Sequence, residues 1–278
     1  MLQSRKGTTL EITSLEQIDR RYRHIYLSPH LDDAALSCGG SIGLQTACGL
    51  QALVITAFAG VPPAEQRPSG FASQNHQNMG LPASPHEAVK ARRKEDKEAI
   101  STLKADTFWL SHLDAMYRGN PPYYQNNEAL FGQIHPDDYS LDEQLAAFLL
   151  EVYKRAPLAT FYAPLGVGHH VDHQLCCSAA DRLAQQGANL KFYEDFPYVA
   201  TPGALEARRR ELGGNLEAEL VEVSGSLRLK EDALACYKSQ IPMLFGTASK
   251  MQRSLEDYMG SLRRTYPGIE IERYWQSK

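Results

Sequence analysis

HIYLSPHLDDAALSCGGSIGLQTAC, residues 24–48, contains the transition that decides the fold. Residues 24–29 are a short apolar run rich in β-formers, and residues 34–48 are small side chains that fit a helix packed tightly against it. A strand therefore feeds directly into a helix. The pattern repeats: 51–58 (QALVITAF) reads as a buried strand, 85–104 as a charged helix with apolar positions at helical spacing, and 107–110 (TFWL) as a third strand. Ser140, with Glu143 three residues on, predicts a capping box for a helix whose inner face is Leu145, Phe148 and Leu149. Strands follow at 160–164 (TFYAP), 190–193 and 219–223, with a helix from about Val171 to Gln186. Such alternation predicts an α/β fold, a Rossmann-like three-layer sandwich with a mostly parallel central sheet, in a single domain over residues 1–278. Two polar stretches, 59–84 and 115–139, are rich in Gly, Pro, Asn and Gln and are expected to be long active-site loops.

Bulk properties narrow the function. The chain carries 33 acidic and 29 basic side chains, a formal charge of -4, spread along its length. No basic field exists to hold a phosphate backbone, so nucleic acid is not an expected partner. Five cysteines, none in a C-x-x-C arrangement, argue against a disulfide framework and a structural zinc site, and for a reducing compartment. Residues 1–24 contain no continuous apolar run, so neither a secretory signal nor a membrane span is expected, and the expected location is cytoplasmic.

Two constellations carry chemistry. The first, Ser28-Pro29-His30-Leu31-Asp32-Asp33, follows the first strand and precedes its helix. One imidazole and two adjacent carboxylates at a buried strand exit are costly unless something pairs with them. His30 and Asp33, three apart, can point to one place as the chain enters the helix, while Asp32 projects elsewhere. This separates two metal ligands from one free carboxylate. The second, Gly168-His169-His170-Val171-Asp172-His173, follows the 160–164 strand and also enters a helix, with His170 and His173 on one face. In open parallel sheets ligands bind beyond the carboxyl ends of the strands where strand order reverses. If the first and fourth strands are neighbours, two imidazoles and a carboxylate converge there with an open position, the composition of a catalytic zinc site. A lone Asp32 or Asp33 would read as a helix N-cap, and a lone His169 as a loop side chain. Both clusters at corresponding strand ends argue for a site.

The His30-Leu31-Asp32-Asp33 turn, with His170-Val171-Asp172-His173 later, resembles the PIG-L or LmbE-like family of zinc N-deacetylases. That family pairs an Ala-His-Pro-Asp-Asp-Glu turn with a later His-x-Asp-His segment. Arg92-Arg93-Lys94-Glu95, Leu113-Asp114 and Tyr237-Lys238-Ser239-Gln240 also look like family features. Pro29, Leu31 and Ala34 depart from the family's Ala, Pro and Glu. The resemblance implies metal ligands His30, Asp33 and His173, with Asp32 as general base. It further implies that His170, oriented by Asp172, supports the tetrahedral intermediate and the leaving amine, and that Arg92 and Asp114 contact substrate. The implied cofactor is Zn2+, with Fe2+ as the other native metal, and the implied reaction is removal of acetyl from an N-acetylated sugar or sugar conjugate. Tyr117, Tyr123, Tyr124 and Tyr198 lie in or near the long loops, where sugar rings stack on aromatics.

Other readings compete. Ile134-His135-Pro136-Asp137-Asp138 is closer in letters to the family turn, but no apolar strand precedes it, and Asp138 or Ser140 is better used to start the next helix. Two His and one carboxylate also describe a non-haem iron oxygenase, whose usual β-sandwich contradicts the alternation here. A non-enzymatic Rossmann-like ligand- or nucleotide-binding domain would need its glycines at the first turn, yet Gly39-Gly40-Ser41-Ile42-Gly43 falls inside the helix. No G-x-S-x-G elbow marks a serine hydrolase.

Overall fold

A computed structural model describes residues 9–263 and 267–277; parts of the expected 1–278 domain, residues 1–8, 264–266 and 278, lie outside the described residues. Eight strands, β1 (Glu11–Ile12), β2 (Tyr22–Ser28), β3 (Gln51–Thr56), β4 (Asp106–Trp109), β5 (Thr160–Pro164), β6 (Asn189–Tyr193), β7 (Leu216–Glu222) and β8 (Ile271–Ser277), form one sheet in the order β1-β4-β3-β2-β5-β6-β8-β7. The pairs from β1 to β6 are parallel, while β8 pairs antiparallel with both β6 and β7. The helices are α1 (Asp33–Ala47), α2 (Gly70–Met79), α3 (Pro85–Thr102), α4 (Asn127–Leu130), α5 (Tyr139–Arg155), α6 (Val171–Ala184), α7 (Ala204–Glu211), α8 (Leu227–Leu234), α9 (Gln240–Phe245) and α10 (Ala248–Arg263).

The three layers follow from period-2 alternation on the strands. On β2, Ile25 and Leu27 face α5 and α6, where they join Leu145, Leu149 and Leu175. Tyr26 points the other way, into a core built with Ala35, Cys38 and Ile42 of α1 and Met251 and Leu255 of α10. The chain leaves β2 toward β3 and β4 on one side, then returns to the other side with β5 and β6. This makes β2 and β5 parallel neighbours, with Tyr26 opposite Tyr162, so their carboxyl ends open on one edge of the sheet. The expected switch point is therefore where the two histidine turns meet.

Several local expectations are corrected. Residues 59–84 are not all loop: α2 lies within them, capped by Ser69 on the Ala72 amide and closed by Gly80 in the left-handed region at φ 64°. Its inner face is Ala72, Asn75, His76 and Met79, too polar to show apolar periodicity. Ser140 does not cap α5, which begins one residue earlier at Tyr139 after a 3-10 turn. The N-cap is Asp138, whose carboxylate makes no capping bond because Arg118 and Tyr124 hold it. The strand expected at 219–223 overlaps β7, which starts earlier, at Leu216, stops at Glu222, and is an antiparallel edge strand paired with β8.

The glycines of α1 serve packing. A Cβ on Gly39 would lie 2.9 Å from Lys230 Cγ, and one on Gly40 would lie 2.8 Å from both Glu272 Oε1 and Val223 Cβ. Their absence lets a buried ion pair, Lys230 Nζ to Glu272 Oε1 at 2.8 Å, rest against the helix, where Glu272 also accepts the Gly40 and Ser41 amides. This pair joins α8 and β8 to α1. Lys230→Met is expected to strand the Glu272 charge and lower unfolding stability by about 3–5 kcal/mol. A urea melt whose midpoint stays at the wild-type value would refute that account.

Candidate metal centre and active site

The first turn is built by Ser28. Its hydroxyl donates to His30 O (2.7 Å) and accepts the Ala34 amide (3.0 Å), so neither Asp32 nor Asp33 has to cap α1. Both aspartates are free for other work. Asp33 Oδ2 accepts the His30 amide at 2.8 Å, and lies 3.2 Å from His30 Nδ1 and 3.3 Å from His173 Nε2. One carboxylate oxygen thus stands between two ring nitrogens from sequence-distant turns. Asp32 turns toward α3, its Oδ1 3.8 Å from Arg92 Nη2.

The second turn is shaped by backbone geometry. Gly168 adopts φ 91° and His169 φ 64°, and a Cβ on Gly168 would strike the Tyr198 side chain at 2.8 Å. The chain then enters α6 with His170 Nδ1 accepting the Asp172 amide at 3.2 Å. His173 donates Nδ1–H to Asp195 Oδ1 at 2.7 Å, leaving Nε2 with no hydrogen-bond partner although it is buried and faces Asp33. A histidine fixed by a carboxylate through one nitrogen, with the other bare and aimed at a second carboxylate, is how metal-ligating imidazoles are held. The Asp172 carboxylate reaches His30 rather than His170: Oδ2 is 2.9 Å from His30 Nε2, and it is the Asp172 backbone amide that meets His170.

The electrostatics favour a cation. Six carboxylates (Asp32, Asp33, Asp114, Asp138, Asp172 and Asp195) are buried around the site, and among the described residues the ion pairs bring two permanently charged groups to them, Arg92 and Arg118, besides the imidazoles of His30 and His173. Burial alone would lower both histidines. Asp114, Asp172 and Asp33 outweigh it at His30 and hold its pKa well above the ordinary value, while Asp33 and Asp195 raise His173 to about 9. Proton and metal compete for the same nitrogens, so this potential also favours a divalent ion. Asp33 runs opposite to burial and lies well below the carboxylate range because of His173 and His30. His170 is held well below the usual range by burial and by the His30 charge, so it is neutral. The Asp32 carboxyl is pushed up to about 7, first by burial and then by Asp33, with Arg92 pulling it down. Donor atoms of His30, His170 and His173 also lie within 4.8 Å of one another, as do those of His30, Asp114 and Asp172. Two imidazoles, a shared carboxylate oxygen and an orphaned Nε2 fit a zinc-type ion.

The outlying candidates sort clearly. Arg92 faces the site, 3.4 Å from Asp114 Oδ2, whereas Arg93 turns away to Ala59 O and the Trp109 ring. Of the four loop tyrosines, Tyr198 packs edge-on against His173 with ring centroids 5.7 Å apart. Tyr117 bonds His76, Tyr124 bonds Asp138, and Tyr123 stacks on His135. His135 and Asp137 point outward, with side chains 37% and 66% exposed, so residues 134–138 do not present a ligand set. Asp195 and Arg118 went unread in the sequence. Asp195 had a usable signal, since Glu194-Asp195 is an acidic exit from a parallel strand; Arg118, a single arginine in a polar stretch, had none.

The family model for GlcNAc-PI de-N-acetylase, PIG-L, matches residues 25–184, which include both histidine turns. The chain is similar to a 2'-N-acetylparomamine deacetylase of Niallia circulans, 34% identical over 187 residues, covering 63% of this chain and 66% of that protein, just under two thirds of its length. It is also similar to the 2'-N-acetylparomamine deacetylase of Streptomyces fradiae, 30% identical over 230 residues, covering 80% of this chain and 74% of that protein. Among solved structures it is similar to a teicoplanin deacetylase in its zinc-inhibited form, with a TM-score of 0.76 and 26% identity, covering 91% of this chain and 97% of that one. The chain belongs to the PIG-L family of de-N-acetylases.

Proposed function

We propose that this chain is a zinc-dependent N-deacetylase that frees the amine of an N-acetylated amino sugar carried on a larger scaffold, with His30, Asp33 and His173 as the metal ligands. The observation that carries the reading is the buried, unpartnered His173 Nε2 facing Asp33 Oδ2, with the Asp32 carboxylate free beside them. When bound, the metal supplies a Lewis acid that polarises the acetyl carbonyl and lowers the pKa of water. Asp32 accepts the proton of the attacking water, a role suited by a pKa near 7. Arg92 holds Asp32 and Asp114 on the substrate side of the site. His170, its Nδ1 occupied by the Asp172 amide, presents Nε2–H as a hydrogen-bond donor to the developing oxyanion, and the proton the departing nitrogen needs is the one Asp32 has taken from the water. The scaffold-borne substrate is suggested by the relatives named for N-acetylparomamine and teicoplanin. No helix of the described residues is long and apolar enough to cross a membrane, and a cytoplasmic enzyme is the location proposed.

The test is the product. The zinc-loaded protein, under anaerobic conditions, is expected to release one acetate per amine formed from at least one of N-acetylparomamine, an N-acetylated glycopeptide and N-acetylglucosamine conjugates. Truncated sugars should turn over more slowly, because remote binding energy helps position the amide. Acetate release from none of them by protein with stoichiometric metal, or turnover that stops without oxygen, would remove the reading.

A further inference from the structure

Beside the histidine turns lies a second buried feature, a relay of charged groups running from the 115–139 segment to His30. Arg118 sits at its centre. Its Nη1 is 2.6 Å from Asp172 Oδ1 and 2.9 Å from Leu113 O, its Nε is 2.9 Å from Asp138 Oδ2, and its guanidinium carbon lies 5.0 Å over the Phe58 ring and 5.4 Å over Tyr124. Asp138 is held in turn by the Tyr124 hydroxyl at 2.8 Å, and that oxygen accepts the His135 amide at 2.9 Å. At the other end, Asp172 Oδ2 accepts His30 Nε2–H at 2.9 Å and the Ala115 amide at 3.0 Å. Arg118, Asp138 and Asp172 are 7%, 3% and 0% exposed, so water cannot substitute for any link.

We propose that Arg118, anchored by Asp138 and Tyr124, is a positioning residue that aims the Nδ1 lone pair of His30 at the metal through Asp172, an inference that rests on the ligand assignment above. A carboxylate can only accept, so once a metal displaces the proton between Nδ1 and Asp33 Oδ2, 3.2 Å apart, Asp172 keeps the remaining His30 proton on Nε2 and leaves Nδ1 as the nitrogen that would coordinate. That works only while the Asp172 oxygens stay in place, and Arg118 spans the gap between Asp172 and Asp138 with the fixed fork of its guanidinium. Lysine carries the charge but not the fork. Residues 135–138 thus gain a role as the outer anchor of the site rather than as its metal turn. The arrangement parallels Asp195 on His173, so each proposed imidazole ligand has its own carboxylate, and among the described residues an arginine braces the one on His30 but not the one on His173.

The full-length protein would be made as wild type, Arg118→Met, Arg118→Lys, Asp138→Asn and the Arg118→Met/Asp138→Asn double variant. Three quantities would be measured on each: the zinc dissociation constant by chelator competition, the ¹¹³Cd–¹⁵N coupling that identifies which His30 ring nitrogen binds metal in the cadmium-loaded protein, and kcat and KM. Arg118→Met is expected to weaken zinc binding by about 10–100-fold, the usual cost of losing an outer partner of a ligand. It should also weaken the cadmium coupling to His30 Nδ1 and lower kcat with little change in KM. Arg118→Lys should recover part of each effect. Asp138→Asn, an isosteric change separated from the metal by His30, Asp172 and Arg118, should give a smaller loss in the same direction, with little added in the double variant because both act through one chain. Folded Arg118→Lys and Asp138→Asn proteins with wild-type zinc affinity and wild-type cadmium coupling to His30 Nδ1, reduced only in melting temperature, would show that the relay merely braces the loop. Should Arg118→Met not fold, those two variants decide the question. Failure of the wild type to bind zinc, or metal coupling to neither nitrogen of His30, would refute the ligand assignment instead, whereas wild-type coupling at Nδ1 that no variant weakens would refute the positioning alone.

Discussion

The Asp32→Asn protein is expected to keep its full complement of metal while turnover falls by about 10²–10⁴, the range a general base contributes. The separation follows from where the two neighbouring carboxylates point: Asp33 Oδ2 lies between His30 and His173, and Asp32 faces Arg92. If metal content falls together with rate, Asp32 is a ligand and the division is wrong. The pH profile gives a second check. Asp32 acts as a base only when ionised, so kcat/KM should rise with pH through its ionisation, and because Arg92 pulls that pKa down, Arg92→Gln should move the rising limb to higher pH. Stability should run the other way. A carboxyl whose pKa is raised on folding binds more protons folded than unfolded between about 4 and 7. Ionising Asp32 therefore costs the zinc-free wild type stability as pH rises through that window. The zinc-free Asp32→Asn protein lacks this loss, so its advantage over wild type in a urea melt should grow from about pH 4 to about pH 7.

Replacing His30 with alanine should remove metal and turnover together, whereas His135→Ala should leave both close to wild type. The His30 ring is the meeting point of both turns, with Asp33 at one nitrogen and Asp172 at the other. Its loss opens a gap among buried carboxylates that no other side chain fills. His135 is stacked on Tyr123 at 4.0 Å with its side chain 37% exposed, and its link to the site is a backbone amide that alanine retains. Elemental analysis and acetate release on the two variants separate the outcomes. Comparable metal loss in both would place residues 134–138 in the ligand set.

The two histidine turns were readable because their chemistry is local. A strand exit carrying His30, Asp32 and Asp33, and another carrying His170 and His173, needs only the alternation of short-range patterns to be placed at strand ends. The same reasoning failed at α2, whose buried Asn75 and His76 hide the helical period, and at Ser140, where Asp138 is drawn off by Arg118 before it can cap. It also left the antiparallel edge unseen, since β7 pairs with β8 some fifty residues later in the chain.

From the sequence alone came the α/β alternation, the two histidine turns and the preference for residues 30–33 over 134–138, because each depends on periodicity and on neighbours along the chain. Only the tertiary structure decided that β2 and β5 are adjacent and that Asp33 Oδ2 therefore lies between His30 and His173. Tertiary structure likewise assigned Asp195 to His173, and Asp172, Arg118 and Asp138 to His30. These pairings join residues up to 142 positions apart, such as His30 and Asp172. No local pattern encodes them. They exist because strand order brings distant chain ends to one edge of the sheet, where burial leaves each charged group no partner but the one the fold supplies.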